Sequence, residues 1–446
     1  MLPELLTIEP FSKPVAGSVT LPGSKSITNR ALILAALSKE SLTLEAALFS
    51  DDTKIMAAAL RAVGVTVSED EPGKTLFIKG CGGEIPHAEA EIYVGNAGTA
   101  ARFLTAMLCL RKGGTFKMDG SEAMRKRPMR GLLDALVKLG ATDVEYHGRE
   151  GFFPFTLKTK GIPGGNLSVD ASASSQILSA LLMVAPLAQA PLTLTLAGET
   201  VSHPFIGMTL AMMDQFGIQP KADSDTGPFY FEASPGYYFP RPAYVVEPDA
   251  TAASYYAILP WVVGGSLALE RCYGIGLQGD IRFIDVLGKL GAFFNMDGNN
   301  LIAEFKERKT GGITENFNPI SDTFLTLAAI TPLLDGPTTI SGIAHTRHQE
   351  TDRINAMATE LRKLGQKVDE TDDSMTVYPD REALIAKTQY SPVTIHTYED
   401  HRVAMSFGIA GSFDLHGDGR PWIALHDPGC CAKTFPNFFD VLASLR

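Results

Sequence analysis

Two textures alternate along this 446-residue chain. Short runs such as Val65–Asp70 (VTVSED) and Thr75–Gly80 (TLFIKG) interleave apolar and polar residues with a period of two, which predicts strands joined as hairpins. Between them lie Ala/Leu-rich stretches, each opened by a turn rich in Gly, Ser or Asp, which predict helices. These turns begin at Gly23 (GSKSITNRALILAAL), Gly95 (GNAGTAARFLTAM), Asp170 (DASASSQILSALLM), Glu247 (EPDATAASYYAIL), Pro319 (PISDTFLTLAAI) and Thr397 (TYEDHRVAMSFGIAG). Their spacings are 72, 75, 77, 72 and 78 residues. A second helical stretch follows each first one. Five of the second stretches close on a glycine (Gly64, Gly140, Gly217, Gly291 and Gly365), as expected where the chain turns left-handed, and the sixth runs to Arg446. The pattern therefore predicts a unit of strand, helix, strand, helix and two strands, repeated six times. The segment before Pro319 (GGITENFNP) has the poorest strand character. A generic α/β protein with coincidental spacing is the alternative.

A length of 446 residues suits two or three domains, and 45% hydrophobic with 20% charged residues is an ordinary globular composition. No apolar run approaches the roughly 20 residues a membrane-spanning helix needs. The first residues carry Glu4 and Glu9 and no basic segment, unlike a secretory leader. Five cysteines without a C-x-x-C spacing point to a reduced, cytoplasmic protein. The formal charge of −11 argues against a nucleic-acid footprint, so any anion site must gather its cations locally.

Helix N-termini are where they gather, because partial positive charge and unpaired amides favour anions there. The first turn, Leu21–Arg30 (LPGSKSITNR), sets Lys25, Ser26 and Arg30 at a helix start. It lacks the G-x-x-x-x-G-K spacing of a nucleotide-binding loop. Gly95–Thr99 (GNAGT) lets backbone approach a ligand closely at Gly98. Met124–Arg130 (MRKRPMR) packs four cations beside a helix start, a solvated basic face or an anion site. Ser172–Gln176 (SASSQ) offers hydroxyl and amide donors, which serve equally as an N-cap. Arg347, Glu350 and Arg353 cluster at another start, and Asp400-His401-Arg402 and Lys433 add to the last repeat. His345 and His348 lack the third ligand and the H-E-x-x-H spacing of a metal site, so no metal is expected.

These motifs, in order and over essentially the whole chain, resemble the 5-enolpyruvylshikimate 3-phosphate synthase family: LPGSKSITNRAL, GNAGTAARFL, RP-x-x-x-L-x-D-A-L, SASSQ, PDATAASY, ETDRINAMATELRKLG, DHRVAM and AKTFP. The resemblance implies an α/β fold, a two-domain inside-out α/β barrel with three βαβαββ units per domain. One domain would span 24–244 and the other would join 1–23 to 245–446, the two closing around the substrates. It implies transfer of the enolpyruvyl group of phosphoenolpyruvate to the 5-hydroxyl of shikimate 3-phosphate, in aromatic amino acid biosynthesis. The steps are addition and then elimination through a tetrahedral intermediate, with no cofactor, by an enzyme expected to be a monomer.

By the same resemblance, Lys25, Ser26, Arg30, Ser174, Ser175, Gln176 and Ser202 bind shikimate 3-phosphate, with Asp322, His345 and Gln349. Lys25, Asn96, Gly98, Arg127, Gln176, Arg353, Arg402 and Lys433 bind phosphoenolpyruvate. Asp322 acts as base on the acceptor hydroxyl, Glu350 exchanges a proton with the methylene carbon, and Lys25 joins them in catalysis. The Gly98-Thr99 pair implies room for the family inhibitor glyphosate. Three positions depart from the family pattern: Gln349 replaces a lysine, His345 an asparagine and Phe205 an aromatic hydroxyl. The alternatives are the related UDP-N-acetylglucosamine enolpyruvyl transferases, a transferase acting on another cyclic acceptor, and a non-catalytic ligand-binding paralogue. The first is disfavoured because Ser121–Arg130 carries no cysteine and Ser26 stands where those enzymes have asparagine.

Overall fold

The computed structural model describes residues 2–172, 174–197, 203–224, 226–234, 236–305, 309 and 311–446. The chain forms two compact units, one of 23–247 and one of 1–22 with 248–446.

In the 23–247 unit, three four-stranded sheets share one strand order. In the first, Ala243–Val245 runs parallel to Ser41–Glu45, which pairs antiparallel with Thr75–Lys79, itself antiparallel to Thr66–Asp70. Leu42, Leu44, Val67, Leu76 and Ile78 turn inward from these strands, the buried half of the alternation visible in the sequence. The second sheet is built the same way from Glu89–Tyr93, Lys112–Asp119, Phe155–Lys160 and Thr142–Tyr146. The third uses Gly165–Val169, Leu192–Leu196, Phe229–Phe231 and Lys221–Ala222.

The first helix of each repeat is mostly apolar and is buried around its whole circumference: Lys25–Leu37 from Ile27 onward, and Gly98–Leu108 throughout. Helices Ser175–Val184, Ala250–Val263, Phe324–Ile330 and His401–Gly411 behave alike. The second helices are amphipathic. Arg130–Lys138 buries Leu132, Leu133, Ala135 and Leu136 and exposes Arg130, Asp134 and Lys138.

The 1–22/248–446 unit repeats the plan with Ser18–Thr20, Ser266–Glu270, Asn300–Phe305 and Ala292–Asp297, and with Thr314–Asn316, Thr338–Ser341, Met375–Tyr378 and Lys367–Glu370. The segment before Pro319 does form a strand, Thr314–Asn316, parallel to Thr338–Ser341. Its polar composition is tolerated because the strand is short and lies at a sheet edge. The fifth repeat carries an extra helix, Arg381–Thr388, that the repeat pattern does not contain.

Two features correct the simple sixfold reading. Ser18–Thr20 opens the first repeat yet pairs with Ser266–Glu270 of the fourth, while Ala243–Val245 opens the fourth and pairs with Ser41–Glu45 of the first. This exchange of opening strands is how the chain leaves one unit and returns to it. The sixth repeat lacks its last two strands. Its sheet holds Val393–His396, Ile423–His426 and the N-terminal Leu5–Thr7, which pairs antiparallel with Ile423–His426 and covers that edge.

All five closing glycines have positive φ, from 78° at Gly140 to 91° at Gly64. A Cβ on Gly140 would meet nothing within 4 Å, so only the backbone demands glycine there. Gly140→Ala is expected to lower stability by about 1 kcal/mol, and Gly140→Asn by less, because Asn tolerates the left-handed region. Denaturant unfolding of the two variants checks this, and equal losses would contradict it.

Candidate active site

In the 1–22/248–446 unit, the short 3-10 turns and helix starts converge on a lattice of opposite charges. Asp352 caps helix Arg353–Lys363 through its bond from Asn355 N, which places Arg353 in the first turn. The Arg353 side chain is 1% exposed, and protein acceptors engage every arm of its guanidinium. Nε donates to Asp400 at 2.7 Å, Nη1 to Asp322 at 2.9 Å and to Gln349, and Nη2 to Glu350 at 2.9 Å and Asp400 at 3.4 Å. Arg402 Nη2 donates to the second oxygen of Asp322 at 2.7 Å, and Lys433 Nζ lies 2.9 Å from Glu350. Burial alone would pull both arginines down. Asp400, Glu350 and Asp322 outweigh it at Arg353, and Asp322 leads the same reversal at Arg402. Five predicted residues (Asp322, Glu350, Arg353, Arg402 and Lys433) thus sit in one network.

The two departures on this side have local partners. Gln349 accepts from Arg353, a contact a lysine would replace with repulsion. His345 shares a 2.8 Å hydrogen bond with Ser321, and burial lowers its pKa, favouring the neutral ring.

The 23–247 unit is organised differently. Ser24 caps helix Lys25–Leu37 by accepting from Ile27 N. Lys25 opens that helix, with Asp52 3.6 Å away. Ser26 lends its carbonyl to Arg30 Nη1 at 3.1 Å. Arg30 is buried and donates further to Thr209 at 2.8 Å, and to Ser179 and the Phe205 carbonyl at 3.3 Å, with Phe103 5.1 Å from the guanidinium. All of these are neutral, so burial pushes Arg30 down to about 9. A buried cation served only by neutral groups is costly, and an anion brought beside it would relieve that cost.

Gly98 opens helix Gly98–Leu108, and Arg102, one turn on, donates to the Gly98 carbonyl at 3.0 Å and to Gln176 Oε1 at 3.2 Å. Gln176 returns a bond to Thr99 at 3.2 Å. Ser174 caps the helix that begins at Ser175 by accepting from Gln176 N, so its hydroxyl serves the helix as well as any ligand. Asn96 accepts from Arg127 Nη1 through its carbonyl at 3.5 Å. Ser202 lies outside the described residues.

The basic loop divides in a way its sequence hides. Arg125 pairs with Asp119, Lys126 with Glu122 and Arg130 with Glu150, all at the surface. For these three the solvated basic face is the reading that fits, since surface carboxylates neutralise them. Arg127 alone turns inward, with its Nε buried and unpartnered, against Gly98.

Sequence reasoning missed two carboxylates, Asp52 and Asp280, and the partner of a third. Asp400 was legible as the cap of helix His401–Gly411, but it also anchors Arg353. Asp52, in the first turn of a second helix, pairs with Lys25. Asp280 is 2% exposed, and burial, with Asp322 and Asp249 nearby, pushes its carboxyl up to about 8 against the opposing pull of Arg402. Because the folded protein holds this proton where the unfolded chain has lost it, the contribution of Asp280 to stability is complete at low pH. That contribution fades as pH rises from about 4 towards 8. Asp280→Asn is therefore expected to flatten the fall of the thermal midpoint over that range. An unchanged slope would contradict the assignment.

The family model described as EPSP synthase (3-phosphoshikimate 1-carboxyvinyltransferase) matches residues 11–442. The 3-phosphoshikimate 1-carboxyvinyltransferase of Opitutus terrae is 52% identical over 449 residues, covering 100% of this chain and 98% of that one. The chloroplastic 3-phosphoshikimate 1-carboxyvinyltransferase of Petunia hybrida is 38% identical, covering 99% of this chain and 85% of that one. Among solved structures, an EPSP synthase from Acinetobacter baumannii matches with a TM-score of 0.77 at 24% identity, covering 99% of this chain and 98% of that one. The enolpyruvyl transferase NikO from Streptomyces tendae matches at 0.75 and 16% identity, covering 99% and 97%. These two likenesses establish the α/β enolpyruvyl transferase fold. With a full-length relative at 52% identity and a family match spanning nearly every residue, the chain belongs to the EPSP synthase (3-phosphoshikimate 1-carboxyvinyltransferase) family.

Proposed function

We propose that this protein transfers the enolpyruvyl group of phosphoenolpyruvate to the 5-hydroxyl of shikimate 3-phosphate and releases phosphate. The observation that carries the reading is the pairing of Asp322 and Glu350 with Arg353, Arg402 and Lys433. Two carboxylates within a set of three buried cations suit a reaction that moves two protons on a doubly anionic substrate. In the addition step the acceptor oxygen bonds to C2 of phosphoenolpyruvate, its proton passes to Asp322, and Glu350 gives a proton to C3. In the elimination step Glu350 takes a proton back from the new methyl group, the C2–O bond to phosphate breaks, and the acceptor's proton leaves with phosphate.

Phosphoenolpyruvate competes with Asp322 and Glu350 for the same cations, so the ligand-free pairs are the stand-ins it must displace. Both Glu350 oxygens are engaged by cations in the ligand-free protein, Oε1 by Lys433 and Oε2 by Arg353. Drawing Lys433 and Arg353 towards the substrate removes that constraint where an acid is needed. In the other unit, Lys25, Ser26, Arg30, Ser174, Ser175, Gln176 and Ser202 are the proposed shikimate 3-phosphate ligands. The unpaired burial of Arg30 supports a phosphate there. Asn96, Gly98 and Arg127 are proposed to line the phosphoenolpyruvate side, together with Lys25 and Gln176. We propose a cytoplasmic monomer that needs neither metal nor cofactor.

Phosphate release from phosphoenolpyruvate is expected only with shikimate 3-phosphate, without added metal. Release with UDP-N-acetylglucosamine in its place would overturn the reading. Lys25→Met and Asp322→Ala are each expected to lower kcat/KM by about 100-fold or more while the fold is retained. Near-normal rates would remove those roles. A Cβ at Gly98 would sit 2.7 Å from Arg127 Nη2 and 3.0 Å from Arg102 Nη1. Gly98→Ala should therefore shift Arg127 and raise KM for phosphoenolpyruvate by about tenfold, with the thermal midpoint nearly unchanged. An unaltered KM would contradict the placement of Arg127.

A further inference from the structure

Two adjacent thiols, Cys430 and Cys431, lie in the 3-10 turn Pro428–Lys433 and have no part in the proposed chemistry. We propose that they are a reversible redox modification site. A hydroperoxide converts the pair to a vicinal disulfide, and closing that ring displaces Lys433.

The two positions differ in the way such a step requires. Cys430 is half-buried and Cys431 buried, they are adjacent in one tight turn, and the Cys430 side chain is among the groups that act on the Cys431 sulfur. Burial, and secondarily the neighbouring Cys430, push Cys431 upward, which keeps its sulfur protonated and unreactive until a partner sulfur is activated. Its Sγ is held 3.9 Å from the His401 carbonyl. Cys430 is therefore the sulfur that meets the oxidant. Its thiolate attacks the peroxide, forming an S–O bond and breaking O–O, so that an alcohol or water leaves and a sulfenic acid remains. The Cys431 sulfur then displaces that oxygen: S–S forms, S–O breaks, and a second water leaves with the Cys431 proton. The two thiols supply the two electrons that reduce the peroxide.

The consequence follows from backbone geometry. Neighbouring Cα atoms are about 3.8 Å apart, below the roughly 4.4–6.8 Å a disulfide prefers, so the closed ring is strained and the turn must give. The Cys431 carbonyl accepts from Thr434 N at 3.1 Å and Phe435 N at 2.9 Å, and these two bonds frame Lys433. Lys433 meets Glu350 at 2.9 Å from this frame. A change at Cys431 is therefore passed directly to that ammonium. The same strain makes the bond easily reduced, hence reversible.

The loss of turnover rests on the function proposed above, whereas the modification itself does not. The test treats the ligand-free full chain with hydrogen peroxide, blocks remaining thiols and weighs the peptide containing both cysteines. The expected result is a loss of about 2 Da within that one peptide, reversed by a dithiol reductant. A parallel, equally reversible fall of at least about tenfold in kcat/KM for phosphoenolpyruvate is expected. Cys430→Ser and Cys431→Ser should each keep basal turnover and abolish the 2 Da loss, Cys431→Ser leaving a sulfenic acid on Cys430. Peroxide that consumes the thiols without the intrapeptide 2 Da loss, or a ring that forms while turnover is unchanged, would overturn the proposal. If turnover is absent from the start, the peptide mass still decides the modification.

Discussion

The guanidinium of Arg353 is the fixed point of the 1–22/248–446 unit's site. Asp400, Asp322, Glu350 and Gln349 each accept from it, and two of these acceptors are shared with Arg402 or Lys433. A buried charge so fully surrounded is stable only as a set. Deleting one member leaves a desolvated charge, and such losses run to about 3–5 kcal/mol. The elements that present these residues are correspondingly rigid: capped helix starts at Asp352 and Asp400, and tight 3-10 turns at Asp322 and Lys433. The arrangement stores no net charge. In the proposed reading it holds cations for an anionic ligand and keeps them neutralised by carboxylates.

The 23–247 unit answers the same problem in another way. Among the described residues, Arg30 is buried among Thr209, Ser179, a carbonyl and the Phe103 ring with no carboxylate in contact, and Arg127 keeps a buried Nε without a partner. In the 1–22/248–446 unit the cations are compensated by carboxylates, whereas in the 23–247 unit Lys25 is paired with Asp52 but Arg30 is served by neutral groups among the described residues. That asymmetry suits anionic groups that displace carboxylates at one set of cations and meet uncompensated charge at another.

Much of this was legible in the chain. The five closing glycines and the mostly apolar first helices fixed the repeat, because left-handed backbone and burial on every face leave strong local marks. The motifs around Lys25, Glu350 and Lys433 located the candidate residues. Partnership was not legible. Nothing in Met124–Arg130 says that Arg127 turns inward while its neighbours find partners: Glu122 is the i,i+4 neighbour of Lys126, but Asp119 ends a strand and Glu150 lies in a later turn. The exchange of Ser18–Thr20 and Ala243–Val245, and the use of Leu5–Thr7 to finish the last sheet, are decisions of tertiary pairing between segments 200 or more residues apart. Asp280 looked like an ordinary residue in a polar turn, and only burial makes it unusual.

In the proposed mechanism, internal carboxylates hold the cations until phosphoenolpyruvate takes them, and Glu350 is then free to carry a proton. Titrating phosphoenolpyruvate into the protein without shikimate 3-phosphate, so that no turnover occurs, in neutral buffers of different ionisation enthalpy, reads the proton balance of that exchange directly. Net proton uptake on binding, lost in Glu350→Gln, is the predicted result. Binding heats that do not depend on the buffer would contradict the account.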